Sequence, residues 1–404
     1  MKILAISDAG CTTGFGIVAH ELYRRWVHAG HDVHVLAINY RGDPWEEGYR
    51  LYPATKYMPT DVYGMGRIVE LLTKVQPDVV FLLNDLPILG QYFFGNPQDP
   101  DGLLRAQKTV VYAPIDCVGL PSSWVRPLQT ATVPVVQSQF GQRVVRDEHG
   151  LEVAWLPHGV NRDAYFPVSK KRPLAVVAHD HGQALERVIQ SKRDAKALFH
   201  YDDRFIVLAI NRNSIRKNYG DTFRVFAEFA HDRPDALLYI HAAIVDEGGN
   251  LGELVDRYGL QQQVQFSSAV DTFEGYSTVA LNAFYNMADV FLTTSLGEGH
   301  GLTAQEALAC ELPVVAQRFT AFEEVVGPGS VLVESERLFT TARGVDLSYP
   351  DWRGMVAALE RLYKDIGLRE RLGRRGRQHV LSETYDWDHI AARFEEYLTT
   401  AAGV

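Results

Sequence analysis

Along this chain, continuous runs of β-branched and aliphatic residues alternate with stretches whose apolar positions recur every three or four residues. Lys2–Ser7 reads as a buried strand, and after a loop carrying Gly10, Gly14 and Gly16 the residues Val18, Leu22, Trp26 and Val27 fall at helical spacing within 17–29. Gly30 closes that helix and 33–38 returns as a second β-branched run, the pattern of two parallel strands joined by a crossover helix. Further strands are predicted at 78–83, 108–112, 133–137 and 153–156, so the first half is an α/β layer fold. Periodicity weakens between 161 and 204, where Lys170-Lys171-Arg172-Pro173 reads as a connection and 186–199 as a helix. A second series follows: strands at 205–210, 236–241, 264–267, 290–294, 313–317 and 330–333, with helices at 219–231, 276–288 and 302–311 among them. Three helical stretches close the chain, the last at 387–399 with Ile390, Phe394 and Leu398 on one face. Two α/β domains are therefore expected.

Length and composition fit that reading. The chain has 404 residues, 46% hydrophobic and 22% charged, enough apolar material for two cores and without the bias of disorder. Its formal charge of -10 is the wrong sign for a protein that wraps nucleic acid with its whole surface. Cys11, Cys117 and Cys310 form neither a disulfide framework nor a metal pair, which suits a reducing, cytoplasmic setting. No leader peptide or membrane span is expected.

The segment richest in chemistry is 296–315, LGEGHGLTAQEALACELPVV, a glycine-rich loop after a strand that runs into a helix. Glu298 lies in the loop and Glu306 eight positions later, while the amides of Gly301, Leu302 and Thr303 fall at a helix N-terminus, which attracts anions. A diphosphate with sugar hydroxyls on either side suits that arrangement. Thr303-x-x-Glu306 also fits a capping box, in which Glu306 serves the helix rather than a ligand.

This segment resembles the E-x7-E signature of the retaining glycosyltransferases of family four, commonly E-G-F-G-L-x-x-x-E-A-M-A-x-G-x-P-V-V. The resemblance implies that Glu298 contacts the transferred sugar and Glu306 the ribose of the nucleotide. His300 stands where the family usually has Phe, and Glu311 where it usually has Gly. The run 210–217, INRNSIRK, resembles the family's Arg and Lys pair on the donor diphosphate, which assigns Arg212 and Lys217, with Arg216 an alternative to either. The plainer reading of that run is a solvated basic turn. Residues 156–167, LPHGVNRDAYFP, resemble the family's interdomain crossing. Gly14 and Gly16 resemble its glycine pair facing the donor phosphate, although G-x-G-x-x-A also fits a dinucleotide turn. That alternative, an NAD-dependent oxidoreductase, wants an acid after the second strand, and the sequence has Asn39. Asp116 is the nearest counterpart of a family residue that meets the reacting sugar or acceptor; a turn or cap role is the alternative.

The family implies a GT-B architecture: two Rossmann-like domains facing across a cleft, the last helix crossing back to the first. The boundaries expected are 1–165 for the acceptor-binding domain, 166–204 for the connection, 205–385 for the donor-binding domain and 386–404 for the returning helix. The activity implied is retaining, metal-independent transfer from a nucleotide-diphosphate sugar by a front-face mechanism. No cofactor or metal is expected, since neither His179-Asp-His181 nor Asp202-Asp203 makes a D-x-D motif. The acceptor stays open, nucleic acid being disfavoured by charge, and the rival class is a nucleotide-sugar-binding protein without catalysis. From Arg369 to Arg377 five arginines and one glutamate fall together, read as a solvated helix face or a contact for phosphate-bearing acceptors or lipid headgroups.

Overall fold

Strands that are apolar on both faces need cover on both, and the parallel sheet with helices above and below supplies it. The computed structural model describes residues 1–10, 13–56, 60–97, 99–180, 183–267 and 276–403. By internal packing the chain divides into two units: residues 1–159, 340–346 and 383–404, and residues 160–339 and 347–382.

The first unit holds seven strands, β1 (Lys2–Ser7), β2 (Asp32–Ala37), β3 (Arg50–Pro53), β4 (Val79–Leu83), β5 (Thr109–Ala113), β6 (Val133–Val136) and β7 (Ala154–Trp155). They lie in the order β3-β2-β1-β4-β5-β6-β7, every pair parallel. Helix Gly14–His28 covers one face through Val18, Leu22 and Trp26, all buried. The last helix, Trp387–Ala402, packs in the same unit, where the Phe394 ring meets Tyr112 at 4.8 Å and Phe81 at 5.6 Å between centroids. A Cβ at Gly159 would come within 2.6 Å of the Trp387 ring, so the chain passes that helix only where it has no side chain.

Strand β3 is absent from the sequence reading. It is a four-residue edge strand, only half-buried, and carries too little apolar signal.

The second unit opens with an antiparallel hairpin, β8 (Leu174–Asp180) and β9 (Gln183–Ile189). The helix expected over 186–199 is thereby corrected: Ser191 caps it by accepting from the amide of Asp194, and it runs only from Lys192 to Leu198. Then follow β10 (Phe205–Ile210), β11 (Ala236–His241), the short hairpin β12 (Val245–Asp246) and β13 (Gly249–Asn250), β14 (Val264–Phe266), β15 (Val290–Leu292), β16 (Val314–Gln317) and β17 (Ser330–Val333). The main sheet has the order β14-β11-β10-β15-β16-β17, again all parallel.

The two-residue period of a strand divides this unit's core in two. Ile206, Leu208 and Ile210 enter one apolar cluster, while Phe205, Val207 and Ala209 enter the other across the sheet. Both sheets share one feature of order: the strand direction of growth reverses beside the first strand, between β1 and β4 and between β10 and β15. In such sheets ligands bind outside the carboxyl ends at that reversal, because the two crossovers leave in opposite directions and open a crevice.

Candidate functional site

In the second unit, the loops that leave β10 and β15 carry the residues singled out from the sequence. The first is fixed by Asn213, fully buried, whose amide donates to the carbonyls of Ala243 at 3.2 Å, Ile244 at 3.3 Å and Gly249 at 2.8 Å. A single turn, Ile215–Lys217, then presents Arg216 and Lys217, and Asn218 at φ 52° starts the next helix. The amide of Leu296 donates to the carbonyl of Arg216 at 2.8 Å, which joins the first loop to the second.

Glu298 is anchored through its own backbone, its amide donating to Thr320 Oγ1 at 2.8 Å. Its carboxylate, with the residue 6% exposed, receives two cations: Arg216 Nη1 lies 2.9 Å from Oε2, and Lys217 Nζ donates to Oε1. Arg216 also donates to the carbonyl of Gly297. Burial alone would raise the pKa of Glu298, but the charges of Arg216 and Lys217 and their hydrogen bonds overcome it and bring it down to about 2. Glu298 is therefore an anion at any physiological pH.

Arg212, expected beside Lys217, engages different carboxylates. Its Nε lies 3.0 Å from Asp246 Oδ2 on the β12–β13 hairpin, with Glu247 at 3.9 Å, and its side chain is about half exposed. The second cation on Glu298 is Arg216. Its adjacency to Lys217 was the only sequence signal for it.

Two residues on, His300 is buried with Nε2 3.1 Å from Gln305 Oε1, a pairing in which the ring donates. Gly301 adopts φ 101°, a left-handed backbone, and a Cβ there would stand 3.1 Å from the Phe322 ring. Helix Leu302–Ala309 starts directly after it, without a side-chain cap.

The capping-box alternative for Glu306 is thereby corrected. The residue at the cap is Gly301, Thr303 lies inside the helix, and the Glu306 side chain is buried against the core instead. Tyr285 Oη donates to Glu306 Oε2 at 2.7 Å, and Tyr165 supplies a second hydrogen bond. Burial raises Glu306 to about 7 against the lowering effect of both tyrosines. Two carboxylates eight residues apart are thus held in opposite states: one a permanent anion, the other poised near neutrality. Neither tyrosine, nor Gln305 or Thr320, carried a sequence signal, because each meets its partner only through the fold.

In the first unit, helix Gly14–His28 begins at Gly14, and Thr13 caps it by accepting from the amide of Gly16 at 3.4 Å. Thr13 donates to Asp8 Oδ2 at 2.7 Å, and Asn39, at φ 61°, donates to Asp8 Oδ1 at 2.9 Å. Asp8, at the end of β1, thus ties the glycine loop to the end of β2, and Asn39 serves that tie where a dinucleotide site would want an acid. Asp116 lies half-buried in the loop after β5 beside the buried Cys117, whose thiol burial pushes up out of reach of ionisation. Cys11 and His181 lie outside the described residues, and Asp202 and Asp203 are exposed. Among the described residues no group of three or more His, Cys, Asp or Glu could hold a metal ion, and no helix is long and apolar enough to cross a membrane.

Comparison with known proteins gives the arrangement its relatives. Residues 190–379 match the family described as glycosyl transferases group 1. Over 131 residues the chain is 36% identical to the MMP alpha-(1->4)-mannosyltransferase of Mycolicibacterium hassiacum, covering 32% of this chain and 29% of that protein. Two other relatives are matched over 41% and 27% of their own lengths, so the chain spans less than half of each. In fold it is similar to sucrose-phosphate synthase from Thermosynechococcus elongatus, with a TM-score of 0.74 at 19% identity over 100% of both chains. It is similar too to Anabaena HepE, solved with UDP and glucose, with a TM-score of 0.71 at 15% identity over 99% of this chain and 100% of that one.

Proposed function

We propose, since residues 190–379 match the glycosyl transferases group 1 family and the two Rossmann-like sheets give the chain a GT-B fold, that this protein transfers a sugar, with retention, from a nucleotide-diphosphate sugar to an acceptor. The observation that carries this reading is the joining of Arg216, Lys217 and Glu298 at the reversal point of the second sheet. A leaving nucleotide diphosphate gains negative charge in the transition state, and fixed cations aimed at it are the principal means of stabilising that charge. Lys217 and Arg216 stand ready for the role, with Arg212 joining them if a donor draws it off Asp246. Glu298 pairs with both cations, and on donor binding its carboxylate turns to the sugar hydroxyls. No divalent ion is needed in this scheme.

Glu306 takes the ribose hydroxyls, Tyr285 and Tyr165 fixing its carboxylate. His300 and Gln305 shape the sugar pocket, and the amides at the start of helix Leu302–Ala309 face the diphosphate. The bond from the anomeric carbon to the phosphate oxygen breaks as the bond from that carbon to the acceptor oxygen forms on the same face of the sugar, the departing phosphate oxygen takes the acceptor's proton, and no protein nucleophile is required. Acceptor recognition falls to the first unit, with Asp116 as its candidate. Support for a uridine or related nucleotide comes from HepE, solved with UDP.

The test is a panel of nucleotide-sugars, with nucleotide release measured with and without candidate acceptors. Acceptor-dependent release with an axial product bond from an axial donor supports the proposal. Tight binding of a donor with no release under any acceptor would favour the binding protein without catalysis, and release that stops on chelation and returns with magnesium would refute the metal-free part.

A further inference from the structure

At the amino ends of β15 and β16, the sheet edge opposite to Glu298, lies a cavity of about 340 Å³. Its wall includes Lys192, Arg369 and Arg374, together with Asp289, Glu311 and Glu370. The carboxylates are already engaged. Asp289, 5% exposed, accepts from Lys196 at 2.7 Å and from the amide of Ile206 at 2.9 Å. Glu311 faces Arg377 at 3.9 Å, and Glu370 faces Arg374 at 3.6 Å. Lys192 also lies 3.5 Å from Asp289; with Lys196 and Arg377 reaching two of the acids from outside the wall, five cations, Lys192, Lys196, Arg369, Arg374 and Arg377, meet three carboxylates in a chain whose total is -10.

That excess carries a cost. Lys192 is about half exposed, and its amine donates to the carbonyl of Ala288 at 2.6 Å. There desolvation, with Lys196 and Arg369 adding repulsion, pushes the amine below its usual range despite the pull of Asp289. Arg377 is pressed the same way, by burial and by Arg172 and Arg162. Arg172, from the basic run 170–172, thus acts on Arg377 in the run 369–377, two members of which, Arg369 and Arg374, line the cavity. An anion in the cavity would relieve the repulsion at several cations together.

We propose that this cavity is a binding site for a small, soluble, phosphate-bearing molecule. Its volume is at the low end of small-molecule sites, suited to one phosphorylated sugar and too small for a dinucleotide. Two guanidiniums and an amine around one mouth match a phosphate's charge and its several acceptor oxygens. Tyr285, which holds Glu306, forms part of the same wall.

Titration calorimetry of the full chain with inorganic phosphate and with glucose 6-phosphate, at constant ionic strength, tests this. Lys217→Ala weakens phosphate binding at the donor site, so the experiment is run in that background. One saturable site is expected, weakened at least tenfold by Lys192→Met with Arg374→Glu and tightened by Glu370→Gln, which removes an acid from the rim. The gain in the last variant does not depend on the double variant folding well. Absence of a saturable site, affinity unmoved by all three substitutions, or association only with phosphatidylglycerol vesicles and with neither soluble phosphate would overturn the proposal.

Discussion

Replacing Glu306 by Gln removes a carboxyl group whose surroundings hold it near neutrality. Burial lifts it from an ordinary 4.5 to about 7. At ~1.36 kcal/mol per unit, keeping it ionised costs the folded chain on the order of 3 kcal/mol. The sign follows from proton counts. Between those two values the folded state binds more protons than the unfolded, so stability falls as pH rises through the window and the loss is complete above the folded value. A glutamine carries no such proton and still accepts from Tyr285. Urea unfolding of both proteins at about pH 5 and about pH 8 should therefore show the variant gaining on the wild type by about 2 to 3 kcal/mol across the interval. Donor binding should move the other way. If the ionised carboxylate holds the ribose, wild-type affinity for the nucleotide improves as pH rises through about 7, while the glutamine protein binds weakly and without that trend, having lost a charge-assisted bond worth roughly 1.5 to 3 kcal/mol, or ten- to a hundredfold. Parallel stability profiles in the two proteins would refute the buried, neutral Glu306, and equal donor affinity at high pH would refute its contact with the ribose.

Arg216→Gln removes one of the two charges on Glu298, so the acid limb of turnover should shift from near 2 toward the ordinary carboxylate range; since the wild-type pairing stabilises the fold above about 4.5 and is lost only as pH falls toward 2, an unmoved limb would show that Arg216 does not act on Glu298. Glu298→Ala should depress turnover by more than it changes affinity for the free nucleotide, and full activity would remove Glu298 from the chemistry. His300→Phe removes the hydrogen bond to the buried Gln305 oxygen, which should cost about 0.5 to 1.5 kcal/mol in unfolding and change the ranking of sugar donors; an unchanged ranking would make His300 a packing residue only. Gly301→Ala forces a side chain into a left-handed backbone against Phe322 and should lower stability by about 1 to 3 kcal/mol, a result that a melting curve indistinguishable from wild type would contradict.

Much of this protein is local in origin. A strand such as Phe205–Ile210, buried on both faces, can only be apolar throughout, and a parallel strand must hand over to a crossover at its carboxyl end, so the motifs after β10 and β15 fall on loops at one sheet edge from pattern alone. The strands Leu174–Asp180 and Gln183–Ile189 escaped because neither LAVVAHD nor QALERVI alternates apolar with polar residues, and the second runs almost directly into a capped helix, so periodicity has nothing to separate them by. The site itself is another matter. Lys217 and Glu298 are separated by 81 residues, and what joins them is the sheet order, in which β15 inserts beside β10 after two intervening strands have been laid on its other side. That order is set by which long-range contacts bury the most surface and by the restriction on crossovers, neither of which any single segment contains. The same holds for Glu306, whose neighbours in sequence suggest a helix cap. Its protonation is decided by Tyr285, Tyr165 and the removal of water around it, because the cost of a buried charge depends on everything packed against it, and only the folded chain assembles that environment.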